Sequence, residues 1–223
     1  VTLPPPKPLL PLEYVATPED IAAMLRYTSR RVGLAIMLAY YCGLRSGEIR
    51  GLRVRDLTLT GDQPELRVRQ VAVDGSYGHL TIKPTPKTAA SNREIPLTPP
   101  ILNALEAYVQ DHRLTDPDML LIHKRGDVRS PVKSDALLGP VTRKTQSEPR
   151  VGAYRFHEAR KRVGLHESLT GLHDLRRCFL TRFGRTGASL KEIMAIGGHE
   201  DVEVAMVFLV AERQRLRELM DQM

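Results

Sequence analysis

The chain has 223 residues, 42% of them hydrophobic and 26% charged, and a net charge of +7. This is enough chain for one sizeable core, or a core plus a short arm, with the composition of an ordinary soluble globular protein. No apolar run nears the roughly 20 residues of a membrane span, no signal peptide is visible, and no Gly-rich phosphate loop or His/Cys ligand cluster calls for ATP or a metal.

The opening VTLPPPKPLLPLEYVA, residues 1–16, is proline-rich and aperiodic and reads as a linker or arm. Thr17 then predicts a helix N-cap, with Pro18 at the first helical position and Glu19 and Asp20 at the positive helix end. IAAMLRYTS completes that helix. Arg31 to Gly43 is apolar on nearly every side and predicts a buried helix closed by Gly43. SGEIRGLRV predicts another short helix capped by Ser46. From Leu57 to Leu97, short alternating segments separated by Gly, Asp and Pro predict a small antiparallel sheet of about three strands. Within it, TIKPTPKTAASNREIPL reads as a hairpin with Lys87 near its tip.

TPPILNALEAYVQDHR predicts a helix with a threonine cap, and 116–149 reads as irregular. Helices resume at AYRFHEARKRVG, LHDLRRCFLTRFGRTG and SLKEIMAIGG, the last opened by a Ser189/Glu192 capping box. EDVEVAMVFLVAERQRLRELMDQM predicts a last helix, whose amphipathic end ERQRLRELM is suited to contact a partner. The fold class expected is mainly α with a small antiparallel β-sheet inserted near the start. Cys42 and Cys178 read as reduced, buried thiols.

Several residue pairs invite chemistry. His173 and Arg176 stand three apart in HDLRR and share one helix face. A guanidinium grips phosphate oxygens, and an imidazole exchanges a proton near neutral pH. Taken alone, His-x-x-Arg is as readily a solvated helix face. Arg45 follows the buried helix, with Glu48 three residues on, which by itself reads as a surface ion pair. Lys87 on a turn reaches a substrate or simply faces water, and Lys83 and Arg93 compete with it for any role. His199 follows two glycines that let the backbone turn sharply. The positive net charge adds a polyanionic partner to these signals.

Taken in order, these segments resemble the catalytic domain of the tyrosine recombinase (phage integrase) family. GLRSGEIRGL is similar to its first arginine box and PKTAASNREIPL to its lysine segment. LHDLRRCFLT resembles its His-x-x-Arg box and IGGHEDVEVAMVF its closing His-to-nucleophile segment. The resemblance runs from about Thr17 to the C-terminus. It implies that Arg45 and Arg176 bind the non-bridging oxygens of a scissile DNA phosphate and that His199 adds a hydrogen bond. It implies too that Lys87 protonates the departing 5′ oxygen, His173 assists proton transfer, and Glu48 holds the site in place. The family nucleophile is a tyrosine that forms a 3′-phosphotyrosyl link, so neither cofactor nor metal is expected. The implied partners are double-stranded DNA, further copies of the chain in a tetrameric synapse on that DNA, and DNA-bending or directionality proteins. The implied setting is the cytoplasm of a bacterial or phage-infected cell. The family's N-terminal DNA-clamping domain is expected ahead of the proline-rich arm and outside this chain.

The departure is at position 208. Phe208 stands nine residues after His199, where the family pattern has tyrosine, and no tyrosine follows Tyr154. Three explanations stand: a tyrosine replaced to stop the reaction, a naturally cleavage-dead paralogue, or a plain core aromatic in a shifted register. The expected function is site-specific recombination with the nucleophile missing. The alternative is a non-catalytic, sequence-specific DNA-binding protein derived from a recombinase, and a topoisomerase-like relative is a further rival.

Overall fold

The computed structural model describes residues 14–75, 80–84, 92–124, 126–138, 154–199, 201–209 and 220. Helix α1, Pro18–Leu25, opens on a capping box: Thr17 Oγ1 accepts from the Asp20 N–H, and Asp20 Oδ2 accepts from the Thr17 N–H at 2.8 Å. It ends before the sequence pattern does, because Ser29 is already the N-cap of α2, Arg30–Cys42. Ala16, the last residue of the expected arm, is buried, and its carbonyl accepts from the Tyr40 hydroxyl at 3.0 Å. Helix α2 closes at Gly43 with φ +63°. A Cβ there would overlap the Phe179 ring, so both the left-handed turn and the close approach call for glycine.

Helix α3 spans Ser46–Gly51, and its N-cap is Arg45, not Ser46. The Glu48 carboxylate reaches back to the Arg45 N–H at 2.8 Å and does the capping that the serine was expected to do. Ser46 is helical, and its hydroxyl is buried with no hydrogen-bond partner among the described residues.

The expected single sheet is two. Strands β1 (Leu57–Thr58), β2 (Glu65–Val68), β3 (Gln70–Asp74), β4 (Leu80–Pro84) and β5 (Arg93–Pro96) are all antiparallel where they pair. One sheet has the order β1-β2-β5, the other is β3-β4. The long segment ELRVRQVAVDG breaks at Arg69, and its halves take different partners. Strands β4 and β5 therefore do not pair as the expected hairpin would have them: β4 pairs with β3 and β5 with β2. Lys87, expected near the hairpin tip, lies outside the described residues.

Helix α4, Pro99–Asp111, has Thr98 at its N-cap position, but the threonine side chain makes no capping bond. The stretch read as irregular contains strands β6 (His123–Lys124) and β7 (Asp127–Pro131) and the short helix α5, Ser134–Leu138. Gly126, at φ +83°, permits the reversal between the strands. Then follow α6 (Phe156–Arg162), α7 (Leu172–Arg185), α8 (Leu190–Gly197) and α9 (Val202–Met206). Helix α9 ends at Met206, well before its apolar pattern does. After Met206 the N–H groups of Phe208 and Leu209 bond to Ala205 and Met206, a tighter i→i+3 turn. The remainder of the expected helix, apart from Met220, lies outside the described residues.

Helix α2 is the centre of the main core and packs chiefly on α7, with α1 and α4 also against it. That burial explains its all-round apolar sequence: Ile36, Leu38 and Ala39 are fully inaccessible. A satellite cluster of Leu180, Ile193, Ala205 and Phe208 joins α7, α8 and α9. Among the described residues no helix is long and apolar enough to cross a membrane. The architecture is the expected one, helices with small antiparallel sheets early in the chain.

Candidate active site

The site starts from the N-terminus of α7. Asp174 Oδ2 accepts from the Thr170 N–H (2.8 Å), the Thr170 hydroxyl (2.7 Å) and the Gly171 N–H (3.1 Å), so the first turn is held from behind. This fixes Arg176 two residues on. Arg176 is 1% exposed, the largest fully buried side chain described. Its guanidinium donates to the carbonyls of Gly43 and Gly197, and Nη2 lies 2.7 Å from His199 Nε2. The helix end at Gly43 and the helix end at Gly197 thus meet on one buried cation.

Arg45 comes from the other side. Its Nη1 donates to Glu48 Oε1 at 2.9 Å and its Nη2 to the Gly198 carbonyl at 3.0 Å. Its side chain is 39% exposed, whereas that of Glu48 is 3% exposed. Buried carboxylates need compensation, and Glu48 receives it twice. Arg93 of β5 clamps it through Nη1 (3.0 Å) and Nη2 (2.9 Å), a fork-on-fork pair. Arg93 Nε donates in turn to the Ile196 carbonyl at 2.8 Å.

His199 follows the left-handed Gly198 (φ 60°), and its N–H bonds back to the Met194 carbonyl. The Arg176 donor occupies Nε2, which leaves the proton on Nδ1. That nitrogen is buried and has no partner among the described residues. Phe208 lies against the imidazole, with ring centroids 6.0 Å apart and planes at 14°. The ring is 3% exposed. Gly184 of α7 admits this arrangement, since a Cβ there would collide with the Phe208 carbonyl oxygen.

Three guanidiniums and one carboxylate therefore meet around His199, an excess of positive charge in a partly buried pocket. The titrations follow from it. Burial, then the Arg176 and Arg45 charges, push the His199 imidazole down to about 4, so it is neutral at pH 7. His173 is also lowered, by desolvation first and then by Arg176. Burial and the neighbouring Arg45 lower Arg176 to about 9, which still leaves it charged at neutral pH. Burial alone would raise Glu48; hydrogen bonds and charge from Arg93, then Arg45, more than offset this and hold it below the usual carboxylate range. Such an assembly can bind and polarise a dianionic or monoanionic oxygen cluster. Among the described residues no His/Cys/Asp/Glu group could hold a metal ion.

Of the residues singled out in the sequence, the structure brings Arg45, Glu48, Arg176, His199 and Phe208 together. His173 stands on the solvent side of α7, outside the hydrogen-bonded cluster, and the packing around its ring, then the Arg176 charge, lower it. Lys83 is exposed on β4 opposite Val71. Arg93, weighed only as a competitor of Lys87, turns out to be central. The signal was present in REIPL: alternation puts Arg93 on the same buried face as Ile95 and Leu97, where a charge needs a partner.

The phage integrase family model matches residues 15–215, and the chain belongs to that family. The "Putative prophage phiRv2 integrase" of Mycobacterium tuberculosis is 29% identical over 185 residues, 82% of this chain and 44% of that protein. The integrase of Mycobacterium phage L5 is 25% identical, over 89% of this chain and 48% of that protein. The chain thus spans about half the length of the curated relatives it matches. Its fold is that of tyrosine recombinase catalytic domains. The Tn1549 transposon integrase in complex with circular intermediate DNA aligns over 94% of this chain and 66% of its own, with a TM-score of 0.72 at 19% identity. A form of that integrase with one tyrosine changed to phenylalanine, in complex with transposon right end DNA, aligns over 94% and 65% with a TM-score of 0.70 at 20% identity.

Proposed function

We propose that this chain is the strand-transfer domain of a site-specific DNA recombinase in a form that binds and aligns a phosphate but does not cut it. The observation that carries this reading is the convergence of Arg45, Arg176 and His199 at one point, with the Phe208 ring stacked on His199. Two guanidiniums beside a neutral imidazole suit the equatorial oxygens of a phosphodiester as it becomes pentavalent. In the tyrosine form, the phenolic oxygen attacks phosphorus, the P–O5′ bond breaks, and a proton passes to the 5′ oxygen, with Lys87 as the donor. His173 assists proton transfer at the phenol. The phosphotyrosyl link keeps the phosphodiester energy for rejoining, so the exchange needs no ATP. Phe208 keeps the ring and lacks the attacking oxygen. The Tyr-to-Phe form of the Tn1549 integrase, solved with DNA, supports the view that such a change is compatible with a DNA complex. In this reading the DNA is double-stranded and the working unit is an assembly of several copies.

The test restores the hydroxyl. DNA ligands are first selected from a random duplex pool by the chain as it stands, then nicked beside the bound phosphate. Phe208→Tyr is expected to form a covalent protein–DNA adduct on a denaturing gel, and the parent chain none. If Phe208→Tyr binds the selected DNA fully and forms no adduct, the strand-transfer reading is wrong. Phe208 itself favours the second reading, a sequence-specific DNA-binding protein derived from a recombinase, and that outcome would establish it.

A further inference from the structure

We infer that Arg93 is a positioning residue of this site: it ties Glu48 and the last turn of α8 to strand β5, and so sets the separation of Arg45 and His199. The inference rests on the strand-transfer reading above. Three consecutive carbonyls at the end of α8 each receive a different guanidinium. Ile196 is taken by Arg93, Gly197 by Arg176 and Gly198 by Arg45. The next residue is His199. Two of the three cations come from helical segments; Arg93 alone comes from the sheet, so it fixes where the other two meet relative to that layer.

Glu48 shows how the coupling works. Its Oε1 accepts from Arg45 Nη1 and Arg93 Nη1, and its Oε2 from the Arg45 N–H and Arg93 Nη2. A carboxylate offers about four acceptor positions, and all are used, so the group cannot rotate. The pairing also divides one negative charge between two guanidiniums. Arg45, the more exposed partner, keeps positive charge to offer an anion. The Arg93 side chain is 5% exposed and lies beneath this arrangement, so it acts through Glu48 and the α8 carbonyls without touching a ligand. A lysine at 93 would keep the charge but lose the fork and the separate Nε contact to Ile196.

Arg93→Lys is the primary variant, because removing the charge outright would strand a buried carboxylate and risk unfolding. In the Phe208→Tyr background, Arg93→Lys should slow adduct formation at saturating DNA by about 10–100-fold, the scale of an ångström-level misplacement. Half-saturating DNA should change less than about threefold, since no ligand contact is lost. Adding Glu48→Gln should cost little beyond the slower single variant, as expected for residues in one network. An unchanged rate, a parallel loss of rate and affinity, or additive effects would overturn the assignment. A second readout needs neither cleavage nor DNA: the His199 titration followed by NMR in the parent chain. Arg93→Lys should move its midpoint upward towards the ordinary 6.5, as the last turn of α8 loosens and water enters, with His157 on α6 as reference. An unmoved midpoint would also sink the inference. If Phe208→Tyr forms no adduct and the midpoint still moves, the functional reading has failed and the positioning role stands.

Discussion

Replacing His199 with glutamine should flatten the acid sensitivity of folding, and the size of the effect follows from the site. The folded imidazole titrates at about 4, against an ordinary value of 6.5. Between those values the unfolded chain takes up a proton that the folded chain refuses, so the unfolded state binds more protons. Stability is then fully present above about pH 6.5 and is lost as pH falls towards 4. At full effect the displacement is equivalent to about 3 kcal/mol. The ring is only partly buried and solvent screens the neighbouring arginines, which reduces this to about 1–2 kcal/mol. His173 and His157 are lowered in the same direction, so the parent's slope alone does not identify the group. The difference between two proteins does. Urea denaturation at about pH 7 and about pH 4.5 should show the parent losing about 1–2 kcal/mol more than His199→Gln. Glutamine can still accept from Arg176, so the guanidinium is not stranded at either pH. Equal losses in the two proteins would refute the claim that burial and the neighbouring arginines hold His199 neutral.

Two further substitutions probe how the site is built. Gly184→Ala places a methyl on the Phe208 carbonyl oxygen, and neither backbone can yield alone; a loss of about 1–3 kcal/mol is expected, with earlier proteolysis after residue 201 as the diagnostic sign. Asp174→Ala removes the acceptor for three donors at the start of α7. It should cost about 1–2 kcal/mol in thermal or urea unfolding and, in the Phe208→Tyr background, slow adduct formation through Arg176.

The helix boundaries were legible where a side chain or a glycine marks them. Thr17, Gly43 and the Ser189/Glu192 pair announce their ends by local chemistry alone. Ser46 misled because a residue three positions on, Glu48, outcompeted it for the cap, and Glu48 is placed by Arg93 from a distant strand. The sheet was misread for a related reason. Alternation in ELRVRQVAVDG reports which residues face inward, but says nothing of where the strand changes partner. Strand β6 has only two residues, and β7, DVRSP, is polar and ends in proline, so neither shows an apolar alternation. At the site, the residue types alone read equally as solvated faces, and it was the family resemblance of the ordered motifs that nominated Arg45, Glu48, Arg176, His199 and Phe208. The role of Arg93 depends on the register of β5 against β2 and on the end of α8 packing over it, which no local pattern encodes.

That dependence bears on what Phe208 means. A site decaying from disuse would lose first the residues that are costly without a ligand, and a buried arginine is among the costliest. Here Arg176 is buried and satisfied by two helix-end carbonyls and His199, and Arg93 by Glu48 and a third carbonyl. The cations are thus folded into the core as caps, and the structure would retain them whether or not a phosphate ever arrives. Their survival beside Phe208 therefore says less about selection for cutting than about stability. Arg45 is different: it is the cation with a substantially exposed side chain, and its pairing with Glu48 is shared with Arg93. Its positive charge turned to solvent is the feature that folding alone does not require, and under the proposed reading that is what keeps the chain a phosphate binder without its nucleophile.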